Sequence, residues 1–158
     1  MADICGGRYF VIPENQRGFS WGPSQVTDVI NDLNLAGTQS HYMGPLIVSR
    51  SSTPDFQDDE LTTTVEFILE DGQQRLTTLV IFANEIRKRL EAKGIYAVHA
   101  AQLENLIFLK HNGRQLRIQN KQPTLHDYLS YTLIGTPAPP AERVPAMRAL
   151  DEVRARIS

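Results

Sequence analysis

Cysteine is nearly missing from this chain: Cys5 is the only one among 158 residues. A single thiol excludes an internal disulfide and a thiolate-rich metal site, and it fits a reducing compartment. Long apolar runs are missing too, and none approaches the ~20 residues that cross a bilayer. The opening Met1-Ala2-Asp3-Ile4 lacks the basic and apolar regions of a signal peptide. Cytoplasmic residence without a membrane partner is the expectation. Charge of one sign is scarce, with a net charge of −2 and a pI of about 6.1. No global field draws the chain to nucleic acid, so any DNA contact must come from a local patch. Common catalytic signatures are also missing. There is no Walker pattern and no Gly-x-Gly-x-x-Gly after a strand. His41, His99, His111 and His126 are dispersed, and none stands at ligand spacing from Cys or Glu, which argues against zinc. No Ser-His-Asp arrangement suggests itself.

What is present reads as one α+β domain with a core of its own. Tyr9 to Ile12 is an apolar strand stopped by Pro13, and Glu14 to Trp21 is an aperiodic loop. Pro23 suits a first helical position. Val26, Val29, Ile30 and Leu33 then follow at helical spacing to about Ala36, with Gly37 as the stop. Leu46 to Ser49 predicts a second strand. Arg50 to Thr63 reads as an exposed hairpin connection or a mobile loop, and Thr64 to Glu70 as a third strand. After Asp71, Leu76, Leu79, Val80, Ala83, Ile86 and Leu90 mark one face of a long helix ending at Lys93-Gly94.

Further on, Tyr96 to Leu103 predicts a helix. Leu106 to Lys110 and Gln115 to Gln119 predict a hairpin about His111-Asn112-Gly113, and Pro123 to Leu133 a helix. Thr136 to Pro145 holds four prolines and reads as a linker. Met147 to Ile157 reads as a charged helix without a C-terminal cap, the expectation for a piece of a longer protein. The implied division is a domain over residues 1–135, then a linker and the start of a helical region over 136–158.

Two clusters carry chemistry. In Asp71-Gly72-Gln73-Gln74-Arg75 an apolar strand runs into a Gly turn and a helix opens at once. The first N–H groups of a helix lack intrahelical partners and the dipole there is positive, so the residue set suits an anion. Asp71 could hold a divalent cation or cap the helix, Gln73 or Gln74 could orient a water, and Arg75 could fork onto phosphate. An Asp cap with two solvated glutamines is the plainer reading. The second cluster, Ile12-Pro13-Glu14-Asn15-Gln16-Arg17-Gly18-Phe19-Ser20-Trp21, mixes an arginine, amides and aromatics. That mix suits nucleic-acid contact through charge and stacking. Alternatively Phe19 and Trp21 are core anchors, and for Trp21 that alternative is favoured. Arg87, Lys88, Arg89 and Lys93 crowd one helix end, where they complement its dipole. Arg114, Arg117 and Lys121 stand on the predicted hairpin, within reach of phosphate at best.

These clusters, with Tyr42-Met43-Gly44-Pro45-Leu46-Ile47-Val48 between them, resemble the N-terminal domain of GmrSD-type modification-dependent restriction enzymes. That domain also occurs in the phosphorothioate-sensing defence protein SspE. The likeness covers Phe10 to about Leu90. It implies a ParB/sulfiredoxin-like core of mixed short strands with flanking helices. It implies nucleoside triphosphate hydrolysis, of GTP or ATP with Mg2+, at Asp71, Gly72, Gln73, Gln74 and Arg75, with Thr77 and Arg17 joining the nucleotide site and Asp71 the metal. Sensing of modified DNA, a backbone phosphorothioate included, is implied for Gln16, Arg17, Phe19 and Trp21. The implied partners are DNA carrying a modification and a C-terminal nuclease domain. No nuclease motif stands in this chain, so DNA cleavage is not expected of it. Two other readings compete: a module that binds nucleotide or DNA without turnover, and a sulfiredoxin-like reductase. The second is disfavoured because Cys5 is remote in sequence from the Asp71 turn.

Overall fold

The computed structural model describes residues 6–37, 42–94 and 96–135, together with Arg148, Asp151 and Ala155. Cys5, His41, the 136–145 linker and most of the expected 147–157 helix lie outside the described residues. The first strand, β1 (Arg8–Ile12), takes the centre of the sheet. Its residues Phe10 and Ile12 face one core cluster, and Tyr9 and Val11 face a smaller one. Alternate side chains of a strand point to opposite faces, so β1 is covered on both sides.

Pro13 ends β1, and the chain crosses to α1 (Pro23–Ala36). Pro23 stands in its first turn, and Gln25 Oε1 accepts the N–H of Gly22 at 3.0 Å. Val26 and Val29 are its buried residues. Next come β2 (Ile47–Arg50), the two-residue β3 (Phe56–Gln57) and β4 (Thr63–Asp71). The expected 50–63 connection is thus a hairpin excursion that itself contributes a short strand. α2 (Gln73–Lys93) follows after Gly72, and Gly94 closes it in a left-handed conformation. α3 (Ala97–Ile107) runs four residues past its expected end at Leu103 and turns directly into β5 (Phe108–Lys110).

The expected second hairpin strand, 115–119, is broken. β6 (Arg114–Leu116) pairs antiparallel with β5. After Arg117 the chain leaves that ribbon, and β7 (Ile118–Asn120) pairs parallel with β1. Arg117 is the corner: its N–H donates to Ile107 O, Nε to Asn105 O and Nη1 to Arg8 O. Alternation read locally sees one strand, because each half keeps the same period while changing partner. α4 (Pro123–Ile134) completes the described fold.

The main sheet has the order β2-β4-β1-β7, with β3 added beside β4. β1 is parallel to both neighbours, whereas β2 and β3 are antiparallel to β4. The fold is therefore α+β with a mixed sheet of short strands. Leu76, Val80, Ile81 and Ala83 of α2 pack into the same cluster as Phe10, Leu69, Ile118, Leu125 and Leu129. α2 is thus buried along most of its length, and its N-terminus is held firmly at one end of the sheet.

Candidate functional site

The start of α2 is delivered by β4. Val48 of β2 pairs with Leu69 and Ile47 with Asp71, so Glu70 has no partner in β2 and forms a bulge. Bulges re-aim the residues around them. Here the Glu70 carbonyl accepts Gln16 Nε2 at 3.1 Å, which ties the first motif to the second. Asp71 ends β4 exposed, with no hydrogen bond or ion pair to its side chain among the described residues.

Gly72, not Asp71, is the N-cap. It takes φ 93°, and no side chain caps the helix. The expectation of an Asp cap is corrected: a left-handed residue at this point must be glycine, and a Cβ there would also stand 2.5 Å from Leu46 Cδ2. The first bond closing the turn is Leu76 N–H to Gly72 O at 2.9 Å. The N–H groups of Gln73, Gln74 and Arg75 make no hydrogen bond among the described residues.

The two glutamines are not solvated. Gln74 Oε1 accepts Ser20 N–H at 2.8 Å and Trp21 N–H at 3.2 Å, and its Nε2 donates to Gly18 O at 3.1 Å. Gln73 Nε2 donates to Arg17 O at 2.9 Å. Both side chains therefore strap the 16–21 loop to the helix. Both acceptor sites of Gln74 Oε1 are occupied in doing so. Gln73 is only 7% exposed, yet its Oε1 has no partner. A buried carbonyl oxygen without a donor costs about 1–3 kcal/mol, and such atoms are kept where something else fills the position. Gln122, which no sequence signal singled out, adds bonds from Nε2 to Glu14 O at 3.2 Å and Gln16 O at 2.8 Å.

The result is a polar cavity of about 260 Å3. Gln16, Arg17 and Trp21 line one side, and Asp71 to Arg75 the other. Arg75 donates from Nη1 to Pro45 O at 2.9 Å, and its Nε and Nη2 have no partner among the described residues. The Arg17 side chain is exposed and likewise without a partner there. Two arginines, the positive end of a long helix and one carboxylate thus border one cavity.

Not every expected residue reaches this cavity. Phe19 is 6% exposed and belongs to the main core, the anchor role foreseen as its alternative. Trp21 is half-buried, packs on that core and still lines the cavity. Thr77 is buried behind the site, lining a small neighbouring void with Arg17 and Phe19. A larger groove of about 650 Å3 lies along the far half of α2, between Ile86, Leu90, Leu103 and Leu106. Its walls are mostly apolar and hold none of the motif residues.

No group of three or more His, Cys, Asp or Glu side chains converges among the described residues. That arrangement does not suit a resident transition metal. One carboxylate without a partner among the described residues, at a polar cavity, does suit Mg2+, which binds through one or two carboxylates together with substrate phosphates. No helix of the described residues is long and apolar enough to cross a membrane.

No curated protein matches the chain. A family model described as the N-terminal domain of GmrSD restriction endonuclease matches residues 1–139.

Proposed function

The chain belongs to the family of GmrSD restriction endonuclease N-terminal domains, which gives it a role in antiphage restriction, and from that premise we propose that its polar cavity binds and hydrolyses a nucleoside triphosphate. The observation that carries the reading is the convergence of three unpaired helix N–H groups with Arg17 and Arg75 on one cavity. Phosphoryl transfer requires little covalent help from a protein. It requires charge neutralisation and a placed nucleophile. A cavity of about 260 Å3 falls short of the roughly 300–1,000 Å3 that encloses a drug-sized ligand. It suits the phosphate end of GTP or ATP, with the base lying outside.

In this reading the α2 N–H groups and the open donors of Arg75 hold the phosphate oxygens, and Arg17 closes from the loop. Asp71 would hold Mg2+, which supplies charge neutralisation on the bridging phosphates when bound. Gln73 Oε1, the unfilled acceptor, orients the attacking water by accepting one of its protons. The water oxygen bonds to the γ-phosphorus as the β–γ bridging bond breaks. The diphosphate leaves with the bridging electron pair, and the water's protons pass to phosphate and solvent. Gln74 serves the reaction by holding the loop, since its Oε1 already accepts two hydrogen bonds and has no lone pair left for a water.

The same loop supports a DNA-sensing role. Gln16, Arg17 and Trp21 stand at the cavity mouth and would contact DNA carrying a modification, a backbone phosphorothioate included, while Phe19 anchors the loop from the core. Signalling to a nuclease domain completes the proposal. Phosphate release from GTP and from ATP, with Mg2+ and with or without modified DNA, tests it. Arg75→Ala is expected to abolish turnover while leaving a native circular dichroism spectrum. Nucleotide binding with no phosphate release under any of these conditions assigns a binding module instead.

A further inference from the structure

We propose that Gly44, together with the Pro45 carbonyl, is the positioning element that aims Arg75 into the cavity; this rests on the nucleotide reading above. An arginine on the first turn of a helix has several free torsions, and forked recognition of phosphate demands a settled plane. Two contacts from outside α2 settle it. Nη1 donates to Pro45 O at 2.9 Å. The flat face of the guanidinium lies on Gly44: a Cβ built there would stand 2.8 Å from Cζ, 2.8 Å from Nη2 and 2.9 Å from Nη1. Near-equal distances to those three atoms mean an approach from above the plane, since an edge approach would leave Cζ farther away.

No side chain fits between them. Gly44 also takes φ 85°, the region open to glycine. Nor can the segment retreat. Its next residues, Pro45 and Leu46, abut Gly72 closely enough that a Cβ there would meet Pro45 O at 3.2 Å and Leu46 Cδ2 at 2.5 Å. Directly afterwards Ile47 pairs with Asp71. Residues 44–46 therefore back the Asp71–Arg75 side of the site, against Gly72 and Arg75. They occupy Nη1 and one face of the guanidinium, leaving Nε and Nη2 for a phosphate.

The test compares Gly44→Ala with Gly94→Ala, a control whose glycine also has positive φ but has nothing within 4 Å of a built Cβ. In the 158-residue chain, the Arg75 Nε–Hε resonance, assigned by its loss in Arg75→Lys, is expected to shift in Gly44→Ala and to stay in Gly94→Ala. GTP affinity is expected to fall at least tenfold in Gly44→Ala. In an Arg75→Ala background the same substitution should change it less than twofold, because contacting residues are non-additive. An unmoved Arg75 resonance in Gly44→Ala overturns the proposal, as does an equal loss of affinity in both backgrounds. A shifted resonance with unchanged GTP affinity upholds Gly44 as the platform for Arg75 and instead overturns the role of Arg75 in nucleotide binding. If Gly44→Ala fails to fold, Gly44→Asn takes its place, since Asn tolerates positive φ while its Cβ still meets the guanidinium, and an unmoved Arg75 resonance in that variant sinks the proposal.

Discussion

The two ends of α2 treat polar groups in opposite ways. At its C-terminal half, Arg87 is buried and engaged on every side. Nε and Nη2 donate to Asn84 Oδ1 at 3.2 and 3.1 Å, Nη1 meets Glu91 at 2.7 Å, and Nε lies 3.4 Å from Glu104. Glu104 in turn binds Arg114 at 2.7 Å, whose guanidinium stands 3.6 Å over the Phe108 ring. Gly94 closes that end with N–H bonds to Leu90 O and Glu91 O. At the N-terminal end the cap has no side chain, and among the described residues three N–H groups are unpaired and Gln73 Oε1 lacks a donor. One end spends most of its hydrogen-bonding capacity on the fold, the buried Asn84 Nδ2 being an exception among the described residues. The other holds capacity back, and that reserve is where a ligand would act.

The largest effect expected is at the satisfied end. Arg87→Ala leaves the buried Asn84 Oδ1 without its donors and removes the ion pairs to Glu91 and Glu104, and is expected to destabilise the fold by about 2–4 kcal/mol, toward the cost of breaking a buried pair, with nucleotide affinity at the other end unchanged. Urea unfolding and GTP titration on one sample check both halves of that statement. Gln74→Ala removes three loop bonds. At roughly 0.5–1.5 kcal/mol each in net terms, it should cost about 2–3 kcal/mol and also lower turnover, because the 16–21 loop is released. Gln73→Ala sharpens the comparison. It removes one bond and one unsatisfied oxygen together, so stability should change by no more than about 1 kcal/mol, while phosphate release falls at least tenfold. Similar stability losses in the Gln73 and Gln74 variants would erase the distinction drawn between them.

The smallest effect is far from both ends. Burial, and then the charge of Glu66, push the Tyr9 hydroxyl up to about 12 from its ordinary 10. The neutral phenol is thus favoured in the folded chain. Its contribution is fully present below pH 10 and is lost as pH rises toward 12. Tyr9→Phe should flatten the alkaline limb of a stability–pH curve and leave the curve at pH 7 in place.

Much of this was legible in the sequence, and the reasons differ by residue. The strand into Glu70 and the apolar face of α2 were readable because period and β-branching are local properties. The approach of Gln16–Trp21 to Asp71–Arg75 was expected from the resemblance, and the cavity lined by both segments agrees with it. The role of Gln74 was hidden, because an amide that orients water and one that straps a loop are the same letter. Arg87 was read with its neighbours as complementing the helix dipole. Its burial depends on Glu104 and Phe108, which arrive from elements that local pattern cannot place. The break at Arg117 was hidden for the same reason, since only the position of β1 makes Ile118 change partner. Gly44 was noted as part of a motif, but its meaning needs the plane of a guanidinium 31 positions later.

The central place of the first strand has a consequence for synthesis. Residues 8–12 emerge early, yet one neighbour ends at Asp71 and the other at Asn120. Pairings so distant in sequence form slowly, and a chain growing from the ribosome must leave that strand's edges open until the last of them appears. The polar cavity, whose loop is also held by Gln122, would then be assembled only after the chain has been translated past Gln122. Whatever that cavity binds would find no competent site until β7 has joined the sheet.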